Sequence, residues 1–329
     1  MSMVIHTRFR SWRRLLVSLL VLGAAACATA PRRIVAFGDV HGDLSATRRA
    51  LRLAGAIDDH DRWIGGHLVV VQTGDQLDRG GDEQAILDLF ERLRGEARKA
   101  GGAFNPLLGN HEIMNVSGDL RYVTKEGFAD FVGAAPMNPA DSALQSFPPE
   151  ARPRMAAFLP GRPYALLLSN WDVIHVEGDN VFVHGGILPS HVAYGIDKIN
   201  EEARAWLRGE RAFPAILDGS DSPEWLRLYS QSPDSAACAE LAGVLKEMGA
   251  HRLVMGHTVQ KNGISSACDG LAWRIDVGMS AVYGGPVEVL EIVGDSVRVL
   301  REKDVRPTRP AIPPDSTAPA RTPAPQRPG

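Results

Sequence analysis

Six times between Arg33 and Val305 the chain repeats one local pattern, a short β-rich run that stops at a glycine-bearing polar loop. "IVAF" leads to "GDVHGD", "LVVV" to "QTGDQLDRGG", "PLL" to "GNHE", "VFV" to "HGG", "RLVM" to "GHT" and "AWRIDV" to "GMS". Apolar runs this short, bounded by glycine, suit strands buried on both faces. After the second loop, Asp82 to Ala100 sets Ile86, Leu87, Phe90, Leu93 and Ala97 on one helical face, and Gly101 follows as a stop. Strand, loop, amphipathic helix and strand make βαβ units. Further on, "YALLLSNWDVIHVEGDNVFVHGG" reads as closely spaced strands without room for helices, which predicts a second, more antiparallel sheet. The expected class is α/β, a sandwich of two mixed sheets flanked by helices. The Pro-punctuated stretch 134–163 is expected to be an irregular cap over the sheet ends.

The two ends read differently. Arg8, Arg10, Arg13 and Arg14 precede "LLVSLLVLGAAA", an apolar run too short for a spanning helix, so residues 1–27 are read as an export signal. Three alanines before Cys27 resemble the cleavage box of bacterial lipoproteins, with ordinary secretion and an uncleaved anchor as the alternatives. The expected place is the bacterial envelope, periplasmic and lipid-tethered to the outer membrane. Residues 306–329 hold 8 of the 22 prolines and few apolar groups, the composition of a disordered tail. That leaves 32–305 as the catalytic domain. With Cys27 set aside, Cys238 and Cys268 in an oxidising compartment form either a disulfide or two buried thiols. Net charge of -3 gives no broad electropositive field, so no nucleic-acid partner is expected.

The polar loops carry the chemistry. Asp39 and His41 come first, Asp75 stands 36 residues after Asp39, Asn110 a further 35, His184 a further 74 and His257 a further 73. The first two intervals fit successive βα units, whose strand ends lie side by side. Two Asp, three His and one Asn form an oxygen and nitrogen set suited to Mn, Fe or Zn in a catalytic site. Six ligands are too many for one metal with an open position. One Asp bridging two divalent ions resolves the count, and paired ions are the machinery of in-line displacement at phosphorus.

Neighbouring residues fit that chemistry. Asp75 can bridge, Asp78 stays free, and Arg79 is a planar fork for phosphate oxygens. His111, beside Asn110, can protonate the leaving oxygen while Asp78 holds its ring and raises its pKa. Arg227 is the candidate for a second phosphate clamp. Glu112 is expected to fix the loop or cap the following helix. Tyr283 is a further candidate for the pocket wall. His6, His60, His67, His175, His191 and His251 are read as ordinary polar residues, and Trp171, Trp206, Trp225 and Trp273 as packing.

"GDVHG", "GDQLDRG", "GNHE", "HGG" and "GHT", in this order, resemble the metallophosphoesterase superfamily and its phosphoprotein phosphatase branch. "LLGNHEIMNVSGDLRYVTKEGFADF", "FVHGGILPSHVAYGIDKINEEARAWL" and "RIDVGMS" are similar to the Shewanella-like phosphatases in particular. The resemblance implies a calcineurin-like sandwich and a metal-activated water nucleophile. It also implies Asp39, His41 and bridging Asp75 around one metal, with Asp75, Asn110, His184 and His257 around the other. Related enzymes favour phosphotyrosine in several cases. The leading expectation is therefore a metallophosphatase acting on a phosphorylated protein or small phosphomonoester. Hydrolysis of a nucleotide or dinucleoside polyphosphate is the second enzyme reading. A catalytically silent envelope lipoprotein that only binds is the third, and it predicts missing ligands where all six are present.

Overall fold

The computed structural model describes residues 32–302. Within them, β1 (Arg33–Phe37), β2 (Val69–Gln72) and β3 (Ala103–Pro106) run parallel in one five-stranded sheet. Two later strands of the chain, β9 (Glu288–Val293) and β10 (Ser296–Arg301), complete it in the order β10-β9-β1-β2-β3. The second sheet has the order β4-β5-β6-β8-β7. Its strands are β4 (Ile174–Glu177), β5 (Asn180–Val183), β6 (Arg252–Met255), β7 (Ser265–Ala267) and β8 (Ala272–Arg274).

Each sheet contains two parallel and two antiparallel pairings. The second sheet is thus no more antiparallel than the first, against expectation. The reason is the helix insertion between β5 and β6, which gives room for a parallel return. A further departure is "YALLL", which forms a helix: Pro163 takes the first helical position, where its missing N–H costs nothing.

Helices surround the sheets. In chain order they are α1 (Leu44–Leu53), α2 (Glu83–Lys99), α3 (Asn110–Ser117), α4 (Lys125–Asp130), α5 (Ser142–Gln145), α6 (Arg152–Phe158), α7 (Pro163–Leu168), α8 (Pro189–Tyr194), α9 (Ile196–Leu207) and α10 (Ser235–Met248). The α2 helix fills nearly the predicted span, and its five predicted core residues are fully buried. Burial of each large apolar side chain there contributes about 1.5–3 kcal/mol. One continuous hydrophobic cluster contains Val35, Val70 and Phe104 of the first sheet and Phe182 and Val254 of the second, so the two sheets share a core.

The expected irregular cap, 134–163, holds α5, α6 and the start of α7. Most of its prolines sit near helix starts, and five of the seven residues of α6 are buried. Cys238 on α10 is bonded to Cys268, which settles the open alternative in favour of a disulfide. The export signal, Cys27 and the tail 306–329 lie outside the described residues. No helix of the described residues is long and apolar enough to cross a membrane.

Candidate metal centre

The candidate residues come from parallel strands that end at one place. Asp39 and His41 follow β1, Asp75, Asp78 and Arg79 follow β2, and Asn110 opens α3 after β3. From the facing sheet, His184 follows β5 and His257 follows β6. Two glycines make this close approach possible. A Cβ at Gly109 would stand 2.2 Å from Asp75 Oδ1, and one at Gly256 would stand 2.4 Å from Asp39 Oδ1. Of the eight non-glycine residues with positive φ among the described residues, five are His41, Asp75, Asp78, Arg79 and His257. Backbone strain of this kind is retained where surrounding structure imposes it, and here it is concentrated at the candidate site.

Asp75 is the meeting point. Its Oδ2 lies 3.7 Å from His41 Nε2, 3.7 Å from His111 Nε2 and 3.2 Å from His184 Nε2. Two groups of possible ligands result, His41–Asp75–His111 and Asp75–His184–His257, with Asp75 in both. Backbone carbonyls fix the rings: His41 Nδ1 faces Leu77 O at 2.9 Å, and His184 Nδ1 faces Thr73 O at 2.7 Å. Each carbonyl requires a donor, so the Nε2 atoms are left to face Asp75. His184 Nε2 is 2.9 Å from Asn110 Oδ1 and 3.1 Å from His257 Nδ1.

Protonation follows from burial and charge. Burial pulls His41 down to about 4 and, helped by His184, pulls His257 down to about 2, so both rings are neutral. Burial opposes charge on His184 too, but Asp75 and Asp39 raise it to about 10. Burial alone would raise Asp75, yet His184, His111 and His41 hold it well below the carboxylate range. Burial and the neighbouring Asp276 raise Asp39, and burial raises Asp276 to about 6. Neutral imidazoles, carboxylates and an amide oxygen crowded around shared points are a donor set that fits divalent cations.

The remaining candidates surround this set. Asp78 Oδ2 accepts from His111 Nδ1 at 2.5 Å, and Asp75 and Asp78 raise the His111 pKa against the opposing effect of burial. Arg227 Nη1 donates to His257 O at 3.0 Å and to Thr258 Oγ1 at 2.8 Å. Arg79 packs against Tyr122 and Tyr283, 4.6 and 5.4 Å from their ring centres. Glu112 is the fastener of the loop: its carboxylate accepts from the amides of Asp75, Gln76, Leu77 and Gly109 at 2.8–3.1 Å. Burial, and then Asp75, raise it to about 7. A cleft of about 80 Å³ is lined by Asp39, His41, Asp75, Asn110, His111 and Arg79 among others. Arg227, His257 and Tyr283 line it too, whereas Asp78 stands behind His111.

A family profile described as calcineurin-like phosphoesterase matches residues 32–261. The chain is 44% identical over 303 residues to Shewanella-like protein phosphatase 2 of Arabidopsis thaliana, covering 82% of this chain and 78% of that one. The chain belongs to the Shewanella-like phosphatases of the calcineurin-like phosphoesterase family. Shewanella-like protein phosphatase 1 of Plasmodium berghei is a more distant relative, 28% identical over 82% of this chain and 74% of its own. The solved structure of a cold-active protein tyrosine phosphatase superposes with a TM-score of 0.64 at 25% identity, covering 82% of this chain and 76% of that one. This Shewanella-like phosphatase is accordingly a phosphoric monoester hydrolase, and its family membership implies divalent metal ions.

Sequence reasoning missed Tyr122 and Asp276 and gave Trp225 only a packing role, yet all three line the cleft. Asp276 ends the sixth strand-and-loop unit, a position equivalent to the others. Tyr122 and Trp225 carry no local signal.

Proposed function

We propose that this chain is a dinuclear phosphomonoesterase with a preference for phosphotyrosine in proteins. Trp225 is the observation that carries the preference. It lines the polar cleft of about 80 Å³ and also an adjoining cleft of about 790 Å³ walled by Ile113, Met114, Trp206, Phe213 and Leu217. A phosphoryl group in the first leaves an aryl ring next to the apolar second.

In this reading Asp39, His41 and Asp75 would hold one divalent ion, and Asp75, Asn110, His184 and His257 would hold the other. When bound, Mn²⁺, Fe or Zn ions supply an acidified water and a positive field for phosphoryl oxygens. Arg79 and Arg227 orient those oxygens in line with the attacking water. As the bond from phosphorus to the leaving oxygen breaks, His111 Nε2 gives that oxygen its proton, and Asp78 holds the ring through Nδ1. The products are inorganic phosphate and the free hydroxyl.

The second reading, a nucleotide or dinucleoside polyphosphate hydrolase, draws on Tyr122, Arg79 and Tyr283, which could stack a base. Asp119 and Asp218 in the wall of the apolar cleft disfavour a polyphosphate chain. The deciding experiment compares initial rates of the Mn²⁺-loaded chain from Pro31 on matched phosphotyrosine, phosphoserine and phosphothreonine peptides and a dinucleoside tetraphosphate. A phosphotyrosine advantage of about tenfold or more supports the proposal, and a nucleotide advantage replaces it. We also propose an envelope location with a lipid anchor at Cys27. Mass spectrometry of the mature protein tests this, and an N-terminus without diacylglyceryl-cysteine ends it.

A further inference from the structure

The segment expected to be only a cap contributes a fully buried guanidinium, that of Arg154 on α6. Its Nε donates to Asn115 Oδ1 at 2.7 Å and its Nη1 to the Gly127 carbonyl at 3.0 Å. Its Nη2 donates to Glu83 and, at 3.4 Å, to Asp78 Oδ1. The rings of Phe131 and Phe158 cover the group at 4.8 and 5.1 Å. A buried ion pair gives little net stability compared with apolar residues of the same volume. Stability alone is therefore a poor reason for an arginine in this place.

Hydrogen-bond polarity supplies a better one. A guanidinium only donates, so the Asn115 amide must turn its oxygen to Arg154 and its NH₂ away. That NH₂ donates to Asp78 Oδ1 at 3.0 Å and to the His111 carbonyl at 2.9 Å. Asp78 Oδ1 is thereby occupied by donors from Asn115 and Arg154, and Oδ2 is left for His111 Nδ1 at 2.5 Å. The imidazole must then carry its hydrogen on Nδ1, and Nε2 faces Asp75 and the cleft.

We propose that Arg154 is a positioning residue whose donor-only charge, passed through Asn115 and Asp78, sets the tautomer and aim of His111. The inference rests on the acid role proposed above for His111.

Arg154→Met alone would leave Glu83 and Asp78 buried without their cation, so the informative variants are Arg154→Lys and the double variant Glu83→Gln with Arg154→Met. The first readout is the imidazole Nδ1 proton of His111 in metal-free ¹⁵N-labelled protein. A far-downfield resonance is expected in the unaltered chain and is expected to move or vanish in the double variant, with a smaller change for Arg154→Lys. The second readout is turnover of Mn²⁺-loaded protein on a phosphotyrosine peptide and on dinitrophenyl phosphate, whose leaving group departs without a proton. We expect kcat for the peptide to fall about 10- to 100-fold and for the dinitrophenyl ester less than about threefold, at unchanged KM and metal content. An unmoved resonance, or an equal fall on both esters, overturns the proposal. If the unaltered chain cleaves neither ester while the resonance still responds, the positioning role stands and the phosphatase reading of this site is what fails.

Discussion

Asp75 Oδ2 and His184 Nε2 stand 3.2 Å apart although they come from different sheets. This pair joins the two sheets at the site, and Asp75 belongs to both groups of possible ligands. Asp75→Asn keeps the size and removes the charge that both groups share. We expect it to bind fewer than two ions and to lose about 10²–10⁴ in turnover. Elemental analysis after gel filtration checks the count, and two retained ions would remove the bridging role.

His111 makes a different prediction, because its imidazole is proposed to move a proton rather than to hold an ion. His111→Ala should lower turnover on phosphotyrosine by about 10²–10⁴ with metal content intact. Asp78 would keep its donors from Asn115 and Arg154, so the fold should tolerate the change. Full activity in this variant would leave the acid unidentified.

The legible part of the site is the part carried by strand ends. Asp39, Asp75, Asn110 and His257 each follow an apolar run and a glycine, and His184 follows its run directly with two glycines after it, so topology alone makes them converge. The α2 helix was legible for a similar reason, since its apolar positions repeat at the helical period. "YALLL" was not, because an apolar run that short suits a strand or a buried helix equally, and Pro163 decides between them. Arg154 was hidden more deeply. Its meaning depends on Glu83, 71 residues away, and on Asp78, 76 residues away, and no local pattern encodes such partners.

His175 on β4 gives a stability that depends on pH. Burial opposes its charge, but Asp172 at 3.5 Å and Glu177 at 3.7 Å raise it to about 9. Arg204 and Arg32 share those two acids, and Asn105 approaches Nε2 at 3.1 Å. A charged ring requires the Asn105 amide to present its oxygen. Because the folded pKa lies above the unfolded value near 6.5, the contribution is complete below that pH. It is lost as pH rises through about 9. The most it can contribute is about 3 kcal/mol. Denaturant midpoints between these limits should fall more steeply for the unaltered chain than for His175→Gln, and parallel curves would refute the assignment.

The Cys238–Cys268 bond closes a loop of 30 residues that includes β6, the strand leading to His257. Cross-linking such a loop lowers the entropy of the unfolded chain, a stabilisation of about 3 to 4 kcal/mol in the chain-entropy model. Neither cysteine lines the polar cleft that holds the candidate site. Replacing both by serine should therefore lower the unfolding free energy by that amount, read as a lower urea midpoint at unchanged slope, while leaving kcat within about twofold at low temperature. Equal midpoints for the oxidised chain and the double serine variant would mean that the loop is already ordered in the unfolded ensemble. A large loss of kcat at full folding would instead tie the bond to the placement of His257.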